Sequence, residues 1–196
     1  MIIVGIDLAG VETRPTGFCL LQDSTVQTTL LYSDKEIIEK TAQNYPAVIA
    51  IDAPLYLPPG RKTLEERATP HMRQSDRELL RMGIKIFPVT LGPMRKLTLR
   101  GIMLREAFQA QGYNVIETYP GGAQDVLGIP RKKHGLEKLR SGLEMLGIKG
   151  LSSKMSDHEL DAITCSYVGK LFLDGESITY GMASQGIVMP KGIRSH

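Results

Sequence analysis

MIIVGIDLAG, residues 1–10, is a run of apolar, β-prone residues that ends on Asp7, with a glycine three positions later. The run predicts a buried strand over Ile2–Asp7. A strand made for burial that stops on a carboxylate poses a charge problem. Such a group is costly to take out of water unless something cationic meets it. The partner must come from elsewhere in the chain or from a ligand.

Outward from this strand, Gly17–Gln22 (GFCLLQ) and Thr25–Leu31 (TVQTTLL) flank the polar turn Asp23-Ser24. They predict a hairpin, so the first three strands form an antiparallel meander. Asp34–Ala42 has the apolar spacing of a short helix. Tyr45–Ile51 (YPAVIAI) is another buried strand, and it too closes on a carboxylate, Asp52. Ala53–Pro59 is proline-rich and reads as a loop. Arg73–Met82 has helical character. Residues 83–93, broken by Gly83, Pro88 and Pro93, read as an extended excursion, and a second helix runs from about Met94 to Gln111. GYNVIETYPGG supplies a short strand closing on Glu117. Helices are expected over Gly135–Leu146 and from near Ser156 to about Phe172, and ITYGMASQGIVMP as a small hairpin or irregular flap. YPGG (Tyr119–Gly122) reads as a turn, with a helix start holding a phosphate as the alternative. No repeat or interdomain linker is visible, so the expectation is one domain over 1–196 with an insertion over about 53–100.

Three strands thus end in an acid. Ligands collect outside the carboxyl ends of parallel strands. If these strands are parallel neighbours, Asp7, Asp52 and Glu117 meet in one place.

The final helix adds two more acids. Ser156 and Glu159 have the spacing of a capping box, which fixes its start. Leu160, Ile163, Tyr167, Val168 and Leu171 span roughly a 140° arc at helical periodicity. Asp157 falls within that arc and Asp161 at its margin, so both are expected to face inward. Each acid has a plainer account as well. Asp157 could complement the helix dipole, Asp7 could cap a turn, Asp52 could accept in an Asx-turn, and Glu117 could sit in a salt bridge. One shared cause explains all of them together. Clustered carboxylates repel and raise one another's pKa, and a hard divalent cation removes the conflict. Two such ions can activate water against a phosphodiester. No Cys/His spacing suggests zinc.

Composition bounds the rest. The chain has 196 residues, 42% of them apolar, and a net charge of +3. Between Arg61 and Arg105 lie eleven Lys/Arg and four acids, a local +7 that leaves −4 elsewhere. A basic middle beside an acidic remainder suits a polyanion held against an acidic metal site. No apolar run approaches the length of a membrane span. The short start interrupted by Asp7 is not expected to be a signal peptide. Two distant cysteines, Cys19 and Cys165, fit a reducing cytoplasm.

The pattern resembles the ribonuclease H-like fold: a strand ending in Asp, antiparallel strands, a helix, a strand ending in an acid, and a final helix opening D-x-x-x-D-A. DAITCS around Asp161 resembles the last helix of RuvC-type Holliday-junction resolvases. More specifically, GIDLAG, AIDAPLYLPPG, RQSDRELLRMGIKIFP, VIETYPGGAQ, LGIPRKKHGLEKL and SDHELDA resemble domain-of-unknown-function family 429, whose members are predicted ribonuclease H-like nucleases. The resemblance implies an α/β fold with a mixed five-stranded sheet flanked by helices, and a basic helical insertion after the fourth strand. It implies a nuclease dependent on Mg²⁺ or Mn²⁺, with Asp7, Asp52, Asp161 and, more weakly, Glu117 as catalytic acids. Metal ligands would be Asp7, Asp52, Asp157 and Asp161. His158 stands where some relatives carry an acid.

Arg73 and Arg77, one helical turn apart, are candidate phosphate-binding residues, although Arg73 and Asp76 also have the spacing of a surface pair. RKKHG (Arg131–Gly135) is too brief to indicate nucleic-acid binding by itself. The expected partner is nucleic acid, DNA or RNA, with no membrane and with a homodimer left open. Two other functions compete: an ATP-dependent phosphotransferase of the actin and sugar-kinase superfamily, and a non-catalytic nucleic-acid-binding protein of the same fold.

Overall fold

Among the described residues, seven strands carry the chain: β1 (Ile2–Asp7), β2 (Thr16–Gln22), β3 (Thr25–Leu31), β4 (Val48–Asp52), β5 (Val115–Thr118), β6 (Ser177–Tyr180) and β7 (Ile187–Pro190). They form one sheet in the order β3-β2-β1-β4-β5-β7-β6 in the computed structural model, which describes residues 1–65 and 69–192. β1, β2 and β3 make the expected antiparallel meander. β1, β4, β5 and β7 run parallel, and β6 closes the edge antiparallel to β7. The sheet therefore has two strands more than expected. The closing segment read as a hairpin or flap does form a hairpin, but its β7 joins the main sheet beside β5. Ile187, Val188 and Met189 are buried there.

The α-helices among the described residues are α1 (Asp34–Ala42), α2 (Gln74–Arg81), α3 (Gly92–Ala110), α4 (Pro120–Val126), α5 (Leu136–Met145) and α6 (Asp157–Leu173). α1 starts where Ser33 and Glu36 close a capping box, and α6 where Ser156 and Glu159 do the same. α3 begins two residues earlier than expected. Pro93 lies in its first turn, where a missing N–H costs nothing. Proline there starts the helix rather than breaking the chain. YPGG likewise opens a helix, α4, instead of a turn, with Pro120 in the first turn.

Side chains alternate across the sheet. Ile3, Val48, Ala50 and Ile116 pack with Leu160, Ala162 and Ile163 of α6. Val4, Ile6, Ile49, Ile51 and Val115 pack with Ile37 of α1 and with Leu104 and Phe108 of α3. The α6 contact is very close. A Cβ on Gly5 would lie 2.1 Å from Ala162 O, and one on Gly17 would lie 2.0 Å from His158 O. These two glycines let the backbone of α6 rest on β1 and β2.

Candidate metal centre

Asp7 and Asp52 are cross-strand partners in the parallel register of β1 and β4. Their side chains therefore leave the same face, on strands about 4.8 Å apart. Both continue the series that packs on α6: residues 3, 5 and 7 on β1, and 48, 50 and 52 on β4. α6 lies over this edge and brings Asp161, only 5% exposed, to the same end. Burial, together with the negative charges of Asp7 and Asp161, pushes the Asp52 carboxyl well above the ordinary range, opposed by Lys132. Burial and the Asp7 charge raise Asp161 too, against the hydrogen bonds from Lys132 and Gln124.

A histidine on Asp7 and a lysine on Asp161 answer the charge problem of these acids. His158 Nδ1 lies 2.6 Å from Asp7 Oδ2. This hydrogen bond raises the imidazole pKa, with burial opposing it. Lys132 Nζ lies 2.8 Å from Asp161 Oδ2 and 3.2 Å from Asp157 Oδ2. Gln124 of α4 completes the setting. Its Nε2 donates to Asp161 Oδ1 at 2.8 Å and to Thr164 Oγ1 at 3.1 Å.

Asp157 sits at the rim, its side chain 41% exposed and paired with Lys132. The helical arc reversed the two α6 acids, because α6 is buried on nearly every side. Every residue from Leu160 to Ser166 is buried, so an apolar stripe does not mark its inner face.

Glu117 lines the same cavity as Asp52 and adds to the charge that raises the Asp52 carboxyl, but it is held by Arg73 rather than joined to Asp7 and Asp161. Val115 and Ile116 pack into opposite cores, so Glu117 leaves β5 on the α3 side. Its two oxygens accept from Arg73 Nη1 at 2.6 Å and Nη2 at 2.7 Å, and Oε2 also accepts from Leu55 N at 2.8 Å. Arg73 is 3% exposed and also bonds Asp76. Arg73 and Arg77 thus form no phosphate clamp. Arg73 is buried in a carboxylate lock, and exposed Arg77 donates to the Met72 carbonyl.

Sequence reasoning passed over Lys132, Gln124 and Thr118. Thr118 follows Glu117 and so shares the face of Asp52. It is 1% exposed, and its hydroxyl has no hydrogen-bond partner among the described residues. A cavity of about 200 Å³ is lined by Asp52, Thr118, Lys85 and Phe87 and also by Glu117 and Arg73.

The donor set suits a hard divalent cation: it is all oxygen and mostly carboxylate. Asp52 makes no side-chain hydrogen bond or ion pair among the described residues, and buried Thr118 offers a second unclaimed oxygen. As the side chains stand, no three His, Cys, Asp or Glu among the described residues are grouped to hold one ion. Asp161 is turned to Lys132 and Asp7 to His158.

A family model described as "Protein of unknown function (DUF429)" matches residues 5–184. The chain belongs to this family. No curated protein matches the DUF429 chain. Among solved structures, T. thermophilus RuvC in complex with Holliday junction substrate is 14% identical with a TM-score of 0.53, covering 97% of this chain and 100% of that one. A second Thermus thermophilus RuvC structure is 14% identical with a TM-score of 0.45, covering 89% and 97%. The first likeness shows that the DUF429 chain has the ribonuclease H-like fold. Among its described residues, no helix is long and apolar enough to cross a membrane.

Proposed function

We propose that this chain is a divalent-metal-dependent phosphodiesterase acting on nucleic acid, with Mg²⁺ or Mn²⁺ held by Asp7, Asp52 and Asp161. The observation that carries the reading is the delivery of three carboxylates by β1, β4 and α6 to one face at the carboxyl ends of parallel strands, one of them, Asp52, without a hydrogen-bond or ion-pair partner among the described residues. When bound, the metal supplies Lewis-acid charge and lowers the pKa of an attacking water.

The chain's own groups do the rest. His158 and Gln124 fix the Asp7 and Asp161 carboxylates through single hydrogen bonds. Asp52 offers free lone pairs toward the cavity. Exposed cations of the segment between β4 and β5, among them Arg81, Lys85 and Lys96, provide a phosphate-binding surface whose strength falls with salt. Lys85 lines the same cavity as Asp52.

RuvC in the similar structure is bound to a Holliday junction, so a four-way DNA junction is the first substrate to try, beside duplex and single-stranded DNA and RNA. Cleavage of at least one labelled substrate with Mn²⁺, lost in Asp52→Asn and in Asp161→Asn, supports the reading. Salt-sensitive binding without cleavage would leave a nucleic-acid-binding protein. Stabilisation by ATP with indifference to Mn²⁺ would indicate a phosphotransferase.

A further inference from the structure

We infer that Lys132 is a tethered counter-ion of the Asp7–Asp52–Asp161 carboxylates, and that a divalent cation enters by displacing its ammonium group. The inference rests on the metal reading above and assigns Lys132 a role in it. The ammonium is the closest cation to Asp161, 2.8 Å from Oδ2, and it reaches Asp157 Oδ2 at 3.2 Å. Its influence extends deeper, since it also lowers the Asp52 pKa.

Three features make this position exchangeable rather than permanent. The Lys132 side chain is 43% exposed while Asp161 is 7%. The lysine therefore enters from solvent and has a way back. Its backbone is a single 3-10 turn, Lys132–His134, in which no residue is buried. Such a segment can shift without opening the core. An ammonium is also a compact point charge with no fixed donor geometry, so it neutralises carboxylates without locking their arrangement.

The contrast with Arg73 is informative. There a guanidinium 3% exposed meets its carboxylates through paired, directional hydrogen bonds, as a permanent lock requires.

Charge decides the exchange. Three neighbouring carboxylates are offset only in part by one ammonium and the imidazole on Asp7. A divalent ion carries twice the charge of the ammonium and takes several oxygens at once. Two cations cannot share Asp161 Oδ2 at such range without strong repulsion. Lys132 must therefore leave as the ion arrives. Until then it keeps the acids tolerable in one another's company. Its competition also weakens metal binding.

The test is a Mn²⁺ titration, read by the electron-paramagnetic signal of free Mn²⁺, on the wild-type chain and on Lys132→Met, Lys133→Met and Asp52→Asn. Hydrogen exchange of residues 132–134 is followed in parallel on the wild type. The expected result is that Lys132→Met binds Mn²⁺ about ten-fold or more tightly than wild type and Lys133→Met is unchanged. Amides of 132–134 should exchange faster in wild type once Mn²⁺ saturates. Equal or weaker binding by Lys132→Met, with binding lost in Asp52→Asn, overturns the exchange and leaves the metal reading standing. Unchanged or slower exchange at 132–134 on saturation overturns it too, even if the Lys132 variant does not fold. If no variant nor the wild type binds Mn²⁺, the metal reading falls and the exchange falls with it.

Discussion

Arg73 grips Glu117 across the α3 side of β5 through two hydrogen bonds, Nη1 to Oε2 at 2.6 Å and Nη2 to Oε1 at 2.7 Å, with both side chains almost wholly buried. The same guanidinium donates to Asp76 at 2.7 Å, so one cation ties the start of α2 to the end of β5. Burial raises the Glu117 carboxyl, while Arg73 and the Leu55 N–H pull it down.

Removing one partner strands the other in a dry place. Glu117→Gln should cost about 3–5 kcal/mol in urea unfolding, the usual penalty for an uncompensated buried charge. An exposed pair is worth no more than about 1 kcal/mol, so a loss that small would mean the lock is open to water. Any fall in activity of the Glu117 variant should follow its loss of folded protein.

Asp52 behaves oppositely. It makes no side-chain hydrogen bond or ion pair among the described residues, and the like charges of Asp7, Asp161 and Glu117 outweigh the Lys132 charge near it. Asp52→Asn should therefore raise the melting temperature of the metal-free protein, by about 2–4 °C for each kcal/mol of repulsion removed. The same variant should lose stabilisation by Mn²⁺. Scanning calorimetry with and without the ion checks both; a metal-free melting temperature that falls would count against the repulsion.

Gly17 sets how close α6 comes to β2. A methyl group there would meet His158 O at 2.0 Å, and backbone cannot rotate out of the way. Gly17→Ala should cost about 1–3 kcal/mol or more. It should also displace His158 from Asp7, which ¹⁵N shifts of the imidazole report.

One pH response is readable away from the acids. Glu78 accepts from Gln74 Nε2 and from the Gly181 N–H, each at 2.7 Å, and these bonds lower its pKa from 4.5. A depressed carboxyl contributes stability that is present above its unfolded value and disappears as pH falls through the folded one. Acidification from neutrality to below 4.5 should therefore lower the protection of the Gly181 amide, measured as its exchange relative to the intrinsic rate at each pH, where the β6–β7 hairpin meets α2. Glu78→Gln should show the lower protection already at neutral pH, with little further change.

Much of the fold was written in local patterns. β1, β3 and α1 have the limits expected from alternation and from the helical spacing of 34–42. α4 was hidden by its two glycines, whose low helix propensity is overridden by packing. A Cβ on Gly122 would sit 2.7 Å from the Tyr119 ring and 2.8 Å from Met189 Cε, so this position packs tightly against its neighbours. β7 itself is too short to signal a place in the main sheet. Among the acids, Asp7 and Asp52 were legible as strand ends. Glu117 looked the same in sequence, but the two-residue period put it on the other face. Lys132 was visible only as part of a basic run, since its carboxylate partners lie 25 and 29 residues later and nothing local announces them.

Glu117 and Thr118 leave β5 on opposite faces and yet line one cavity, the first held by Arg73 and the second with an unclaimed hydroxyl. A single peptide step in β5 thus places the fastening of the segment between β4 and β5 in the wall of the cavity that Asp52 also lines. Whatever enters that cavity meets a wall already braced by an ion pair, so its shape is set before anything binds.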